Sequence, residues 1–216
     1  MFIFASDMIK NLIFDFGGVF CTADLDSCVA AFKDLGFNDI ENYLNRYAQK
    51  GKFGDLEAGK ITDYEFLEYF RSHTGREVSY EECRNAWLSF IAGLCEENLA
   101  QIPTLKAKGY RVALLSNTNA FVASWIRHDI LGVGLDSYIA REHQYLSFEM
   151  KCMKPAAEIF LKLLENEGFV PEETLFIDDS EANLRSASAL GIRTFPVSGG
   201  ENWGKRLESY LSSGNE

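Results

Sequence analysis

Residues 176–192 read FIDDSEANLRSASALGI, and this stretch is the most specific pattern in the chain. Its first residues close a short apolar run, TLFID at 174–178, whose length and composition are typical of a buried strand. The following residues, 181–190, are predicted to be helical and end before Gly191, a residue type that often follows a helix. A strand followed closely by such a helix predicts one βα unit of a parallel sheet.

The same alternation occurs elsewhere in the chain. Apolar runs of strand length are IKNLIFD at 9–15, YRVALLS at 110–116 and IRTFPV at 192–197. Helical segments are predicted at 96–108 and 155–167, and each ends before a glycine. Alternating strands and helices predict an α/β fold, with a Rossmann-like, mostly parallel sheet covered by helices on both faces.

A run of predicted helices interrupts this alternation after the first strand. Asp15 and Ser116 end consecutive predicted strands but lie about 100 residues apart, whereas a βαβ unit takes about 30 residues. We therefore expect an inserted all-helical cap at 21–96. The core is then formed by 9–20 together with 97–216.

Capping signals predict some of the helix boundaries inside the insertion. The pairs Thr62 with Glu65 and Ser79 with Glu82 have the spacing of a capping box. The segment GKFGDLEAGK at 51–60 is predicted to be a solvated turn, with its first glycine ending a helix. The alternative for this segment is a part of the cap that faces the substrate.

Composition limits the class of protein. The 216 residues are 47% hydrophobic and 25% charged, which is typical of a folded chain, and their net charge of −11 argues against nucleic acid or an anionic membrane as partner. The five cysteines are odd in number and contain no CxxC pair, so neither a disulfide framework nor a zinc site is expected. Residues 1–8 are too short and too poor in basic residues for a signal peptide. We expect a cytoplasmic protein, and the sequence leaves its oligomeric state open.

Polar residues end the predicted strands. Asp15 ends the first, Ser116 and Asn117 end the second, and Asp178 and Asp179 end the third. Ligands of open α/β sheets bind beyond these carboxyl ends. A carboxylate can act as the nucleophile of an aspartyl-phosphate enzyme, and paired carboxylates suit Mg²⁺. The hydroxyl of Ser116 and the backbone N–H groups from Asn117 onward could hold phosphate oxygens.

Lys154 stands directly before Pro155, at the start of a predicted helix. Its positive charge could neutralise a phosphate and restrain the carboxylate of Asp15. Taken singly, Asp15, Ser116 and Lys154 are better explained by a turn, a helix cap and a solvated side chain. For Asp178-Asp179 a helix cap is an equally good explanation. Their joint occurrence and order favour phosphoryl transfer.

Five stretches in this order resemble the haloacid dehalogenase (HAD) superfamily, in the branch with a helical cap after the first strand. The resemblance covers about residues 9 to 197, and its longest motif is the stretch quoted first. The other matching stretches are IFDFGGV (13–19), LLSNT (114–118), SFE (147–149) and MKP (153–155).

The resemblance implies a Mg²⁺-dependent phosphatase that hydrolyses a small phosphomonoester, such as a sugar phosphate, through an aspartyl-phosphate. It implies Asp15 as nucleophile and metal ligand, and Asp179 and the backbone carbonyl of Gly17 as further metal ligands. Ser116 and Lys154 are implied to bind the phosphate.

Two further residues are implied to act behind these ligands. Asp178 is expected to support the metal and phosphate ligands, and Asn183 to support the acidic loop around Asp178 and Asp179.

One position departs from the family pattern. Phosphatases of this family usually have DxD in the first motif, and here the motif is Asp15-Phe16-Gly17. Gly17 cannot supply the acid–base group of the second aspartate, a loss that typically costs about 10²–10⁴ in rate. We therefore expect activated leaving groups, as in the sugar 1-phosphates used by some similar DxG proteins. Asp24 is a candidate substitute acid or substrate contact.

Two other functions remain open. Because Gly17 replaces the second aspartate, the chain is also compatible with a catalytically weak protein that binds a phosphorylated ligand and has a regulatory role. A metal-free 2-haloacid dehalogenase is the third possibility, but that family has Tyr at this position and lacks the paired acids Asp178 and Asp179.

Overall fold

The computed structural model describes residues 8–213, so the expectation about residues 1–8 lies outside the described residues except for Met8. In this range the strands are β1 (Asn11–Phe14), β2 (Cys21–Ala23), β3 (Ile91–Leu94), β4 (Arg111–Ser116), β5 (Gln144–Leu146), β6 (Thr174–Asp178) and β7 (Arg193–Pro196). The α-helices are α1 (Leu25–Asp34), α2 (Gly51–Glu57), α3 (Asp63–Thr74), α4 (Tyr80–Leu88), α5 (Glu96–Leu99), α6 (Gln101–Ala107), α7 (Ala120–His128), α8 (Ser147–Met150), α9 (Ala157–Glu167), α10 (Glu181–Ala189) and α11 (Gly204–Ser213). None of these helices is long and apolar enough to cross a membrane.

A five-stranded parallel sheet forms the centre of the molecule, in the order β5-β4-β1-β6-β7. In the middle strand, Ile13 is paired with Ala113 on one side and with Phe176 on the other. All four residues of β1 are buried, which explains why Leu12, Ile13 and Phe14 follow one another as apolar residues without alternation. The predicted α/β fold with a mostly parallel sheet is confirmed.

Helices cover both faces of this sheet. Leu12 and Phe14 point to one face, where the indole of Trp203 stacks on Phe14 with ring centroids 5.3 Å apart. Ile13 points to the other face and packs with Ile159 and Phe160 of α9. Successive residues of a strand face opposite sides, so one short strand contributes to two cores.

The sequence did not predict β5. This strand has only three residues, Gln144–Leu146, and pairs with the last three residues of β4 at the edge of the sheet. A run this short has too few residues to show a period, and its position depends on pairing with a strand about thirty residues away.

Aromatic packing holds the insertion together. Phe32, Phe53, Phe66 and Trp87 from α1 to α4 form its core, and Phe121 at the start of α7 joins them from the sheet domain. The ring centroids of Phe53 and Phe66 are 4.8 Å apart in an edge-to-face arrangement. The insertion therefore has its own core and is in contact with the central sheet domain.

The two predicted capping boxes are present. The hydroxyl of Thr62 accepts a hydrogen bond from the N–H of Glu65, whose carboxylate accepts one from the N–H of Thr62, and α3 begins there. Ser79 and Glu82 make the same reciprocal pair at α4. These local signals correctly placed two helix starts.

Two expectations about the insertion were wrong. It is not entirely helical, because β2 and β3 pair antiparallel where the chain enters and leaves it. The two crossings run side by side, and pairing satisfies their backbone groups. The segment at 51–60 is not a solvated turn either: Gly51 begins α2, and Phe53 and Leu56 of that helix are buried in the aromatic core.

Candidate active site

Strand order brings the predicted residues together. Asp15 directly follows β1, Ser116 ends β4, and Asp178 ends β6. Because β1 lies between β4 and β6 in a parallel sheet, their carboxyl ends meet at one edge. A cleft at this edge is lined by Asp15, Ser116, Lys154 and Asp179.

Lys154 contacts the carboxylates at the ends of β1 and β6. Its Nζ lies 2.9 Å from Oδ1 of Asp15 and 2.8 Å from Oδ2 of Asp178, and only 3% of the residue is exposed. One carboxylate oxygen from each of Asp15, Asp178 and Asp179 lies within 4.8 Å of the other two. Two of these three clustered carboxylates therefore contact the same buried ammonium group.

Burial and like charge shift the proton affinities of this cluster. Burial raises the pKa of Asp15 to about 7, even though Lys154 opposes the shift. Burial and the charge of Asp178 also raise the pKa of Asp179. Burial disfavours the charged form of Lys154, but Asp15 and Asp178 outweigh it and raise the pKa of that ammonium. Negative charge therefore exceeds positive charge in the cluster, which is the environment that a cation stabilises.

The donor set fits a hard divalent cation. The ligand atoms are carboxylate oxygens, which Mg²⁺ prefers, and Asp15 and Asp179 both line the cleft. The carbonyl of Gly17, which also lines the cleft, is the predicted backbone ligand.

The carboxylate of Asp178 is surrounded by hydrogen-bond donors. Its carboxylate accepts hydrogen bonds from the N–H of Ser180 at 2.7 Å and from Nδ2 of Asn183 at 3.2 and 3.1 Å, besides the contact with Lys154. It is fully buried. These contacts fix Asp178 behind the cleft, where it orients Lys154, and Asn183 on the first turn of α10 supports it.

Asn117 holds the backbone of Lys154. Its Nδ2 donates to the carbonyl of Lys154, and its Oδ1 accepts from the N–H of Lys154, both at 2.9 Å. The side-chain amide of Asn117 is therefore occupied, which leaves only its backbone for the predicted contact with phosphate. The hydroxyl of Ser116 is buried at the cleft and hydrogen-bonds to no other residue within 8–213.

The two glycines after Asp15 have different surroundings. A Cβ at Gly17 would meet no atom within 4 Å, so there is open space where the family has its second aspartate. A Cβ at Gly18 would lie 2.4 Å from the carboxylate carbon of Asp179, and φ at Gly18 is +72°. Gly18 is therefore required for the approach of Asp179, whereas Gly17 is not required by packing.

The structure does not bring Asp24 into the cleft. Its carboxylate caps α1 and accepts hydrogen bonds from the N–H of Ser27 at 2.9 Å and the hydroxyl of Ser27 at 2.7 Å. These bonds lower the pKa of Asp24. An ionised capping carboxylate is not placed to donate a proton to a leaving group.

The insertion supplies cleft residues that the sequence analysis missed. Arg46, Glu57, Trp87 and Phe90 line the cleft from the cap. For Glu57 a signal was present, since it follows Leu56 on the apolar side of an amphipathic segment, where a charged residue is unusual. Arg46 lies in an irregular connection that has no period to interpret.

The fold and the site together define a class: an α/β enzyme whose aspartate after the first strand faces a buried lysine and an acidic pair beneath an inserted cap. The family model for haloacid dehalogenase-like hydrolases matches residues 9–191, and the chain belongs to this family. The predicted family and the predicted hydrolase class are thereby confirmed.

Similar proteins agree with this assignment. The chain is 40% identical over 209 residues to D-ribitol-5-phosphate phosphatase of Bacteroides thetaiotaomicron, covering 95% of this chain and all of that protein. A HAD-like family hydrolase from Porphyromonas gingivalis has a TM-score of 0.88 at 37% identity, with 94% of this chain and 98% of that one covered. A HAD family enzyme from B. thetaiotaomicron, in complex with magnesium and inorganic phosphate, has a TM-score of 0.83 at 38% identity, with 92% and 99% covered.

Proposed function

We propose that the protein is a Mg²⁺-dependent phosphatase that hydrolyses a small polyol or sugar phosphate through an aspartyl-phosphate on Asp15. The observation that carries this proposal is Lys154, held between Asp15 and Asp178 beside a cluster of carboxylates at the carboxyl edge of the sheet. The relative named for ribitol 5-phosphate and the related structure with magnesium and phosphate support it.

Asp15 is oriented for attack on phosphorus. Its Oδ1 accepts a hydrogen bond from the N–H of Phe16 at 2.7 Å and contacts Nζ of Lys154 at 2.9 Å. The carboxylate is thus fixed at one oxygen, and the reacting group does not have to be ordered when substrate arrives. The bond from Asp15 to phosphorus forms as the bond to the leaving oxygen breaks, and water then hydrolyses the acyl phosphate.

The phosphoryl group is held by positive charge and a hydroxyl. Lys154 places its ammonium at the base of the cleft, and Ser116 offers a hydroxyl there. Bound Mg²⁺, held by Asp15, Asp179 and the carbonyl of Gly17, would neutralise charge on the phosphate and on the acidic cluster. An acidic protein can bind an anionic substrate in this way, because the local charge at the site is reversed.

The leaving group is an alcohol. Ribitol 5-phosphate, for which the 40% identical relative is named, is an unactivated primary ester, so the relative weighs against our expectation of activated leaving groups. We assign the proton for the leaving alcohol to water in the open space beside Gly17.

The five cysteines and the absence of a disulfide among the described residues support a cytoplasmic location as part of the proposal.

The decisive experiment compares phosphate release by the wild type and by Asp15→Asn, with Mg²⁺ or with EDTA, on D-ribitol 5-phosphate and p-nitrophenyl phosphate. We expect release that requires Mg²⁺ and falls at least about 10³-fold in the variant, which loses its nucleophile. Release that survives EDTA or Asp15→Asn contradicts the proposal. Metal-independent halide release from a 2-haloacid indicates a dehalogenase, and ligand binding without turnover indicates a regulatory binder.

A further inference from the structure

Glu57 is the acidic residue of the cleft that the proposed chemistry does not use. It ends α2, only 7% of it is exposed, and it lines the same cleft as Asp15. Its carboxyl group makes no hydrogen bond or ion pair with any residue of the described range. A buried carboxyl without a partner costs stability, so its presence calls for a partner that the chain itself does not provide.

A second buried polar group on the cap side of the cleft also lacks a partner. Trp87 lines the cleft from α4, is 2% exposed, and its indole N–H is buried without a hydrogen-bond acceptor among residues 8–213. Phe90 adds an apolar ring to this side of the cleft, and Arg46 and Tyr47 add polar groups. The cap side of the cleft thus combines an apolar surface with a few convergent polar groups, as small-molecule sites usually do.

Glu57 is held in place by its backbone. Its carbonyl accepts a hydrogen bond from the hydroxyl of Ser147 at 2.7 Å, and that hydroxyl accepts one from the N–H of Thr118 at 3.0 Å. Two residues further, the carbonyl of Gly59 accepts from Nζ of Lys151 at 2.7 Å. The end of α2 is therefore anchored to core segments that lead to Ser116 and Lys154, so the cap carboxyl has a fixed position relative to the phosphate end.

Glu57 reaches the cleft from α2 of the cap, whereas Lys154 and the acidic cluster reach it from the sheet domain. Burial alone raises its pKa to about 8, and neither Lys154 nor the acidic cluster contributes to that shift. At neutral pH the group is a neutral carboxyl, which both donates and accepts hydrogen bonds and does not repel an anionic substrate. A group of this kind suits alcohol hydroxyls better than a second phosphate or an ammonium.

We propose that Glu57 binds hydroxyl groups at the non-phosphorylated end of the substrate, and thereby selects polyol phosphates over phosphates of apolar alcohols. This inference rests on the proposed phosphatase function. It assigns to the cap one side chain that discriminates substrates, while Asp15 and Lys154 act on the phosphate that all candidate substrates share.

The test uses two substrates of equal chain length, D-ribitol 5-phosphate and n-pentyl phosphate, which differ in hydroxyls. For Glu57→Leu we expect kcat/KM on ribitol 5-phosphate to fall about tenfold, mostly through KM, because the hydroxyls lose their partner. On pentyl phosphate kcat/KM should change less than twofold. Glu57→Gln, which keeps a donor and an acceptor, should stay within about threefold of the wild type on both.

A matched control is Asp55→Leu, which removes a carboxylate two residues earlier on α2 that pairs with Lys52 and Lys60. We expect this variant to leave unchanged the ratio of kcat/KM on ribitol 5-phosphate to kcat/KM on pentyl phosphate. The melting temperature of Glu57→Leu should equal or exceed that of the wild type, since the variant removes an unpaired buried carboxyl.

Each other outcome overturns the inference. An equal loss on both substrates for a folded Glu57→Leu means that the residue supports the site only structurally, and no loss on either means that it does not touch the substrate. The proposed function fails separately, if wild-type protein releases no phosphate from either ester in Mg²⁺.

Discussion

The carboxyl edge of the sheet and the cap wall both line one cleft, and their buried carboxyl groups differ in the number of hydrogen-bond partners. At the sheet edge, Asp178 is bonded to Lys154, Asn183 and the backbone of Ser180. On the cap wall, Glu57 has no side-chain partner among the described residues. Groups that perform chemistry must be held in one geometry before substrate arrives, whereas groups that recognise a substrate are left for the substrate to satisfy.

The largest expected effect comes from removing the positive charge of Lys154, which lies between the carboxylates of Asp15 and Asp178. Lys154→Met should lower kcat at least about 10³-fold and reduce the free energy of unfolding by about 3 kcal/mol, because it leaves Asp15 and Asp178 buried without their cation. Kinetics and urea unfolding measure both. A variant with wild-type activity would show that the sheet edge is not organised around this lysine.

Adding an acid to the sheet edge should have the opposite effect. In Gly17→Asp the new side chain enters open space, since a Cβ there contacts nothing within 4 Å. We expect kcat on an alkyl phosphate to rise about 10²-fold, as general acid–base help typically provides. Gly17→Asn, of the same shape, is the control and should not gain. Equal gains in both would show that space, not proton transfer, limits the rate.

The cap wall predicts a pH-dependent stability. The pKa of Glu57 rises from 4.5 in the unfolded chain to about 8 in the folded one, so the folded state binds the extra proton. Its contribution therefore lowers stability progressively as pH rises from about 4.5 to about 8. As pH rises through this range, the free energy of unfolding of Glu57→Gln should increase by ~2 kcal/mol relative to that of the wild type. Urea titrations of both proteins at pH 5 and pH 8 measure it, and a difference that stays constant with pH contradicts the prediction.

The smallest effect is expected from substituting Asn183, which donates hydrogen bonds to the carboxylate of Asp178. Asn183→Leu removes two hydrogen bonds to Asp178, and we expect kcat to fall about tenfold, because Asn183 lines the cleft but affects the chemistry through the carboxylate that it orients. Asn183→Asp places a carboxylate beside Asp178 and should be worse than leucine. If leucine leaves kcat unchanged, the backbone N–H of Ser180 alone is enough to hold Asp178.

The amino-acid sequence was sufficient to predict four of the five strands of the parallel sheet, the polar residues at the strand ends and two helix starts. Buried parallel strands are continuous apolar runs, and capping boxes are local pairs such as Thr62 with Glu65, so both can be recognised within a few residues. Because parallel strands end at one edge, the strand pattern is enough to expect that Asp15, Ser116 and Asp178 lie together.

Which polar side chains have hydrogen-bond partners and which do not depends on the tertiary structure. Asn117 clasps the backbone of Lys154, Asp24 caps α1, and Glu57 enters the cleft from a segment predicted to be a solvated turn. The short strands β2, β3 and β5 likewise form by pairing with partners distant in sequence. Availability of a polar group depends on every neighbour that packs around it, and those neighbours come from parts of the chain that no local pattern connects.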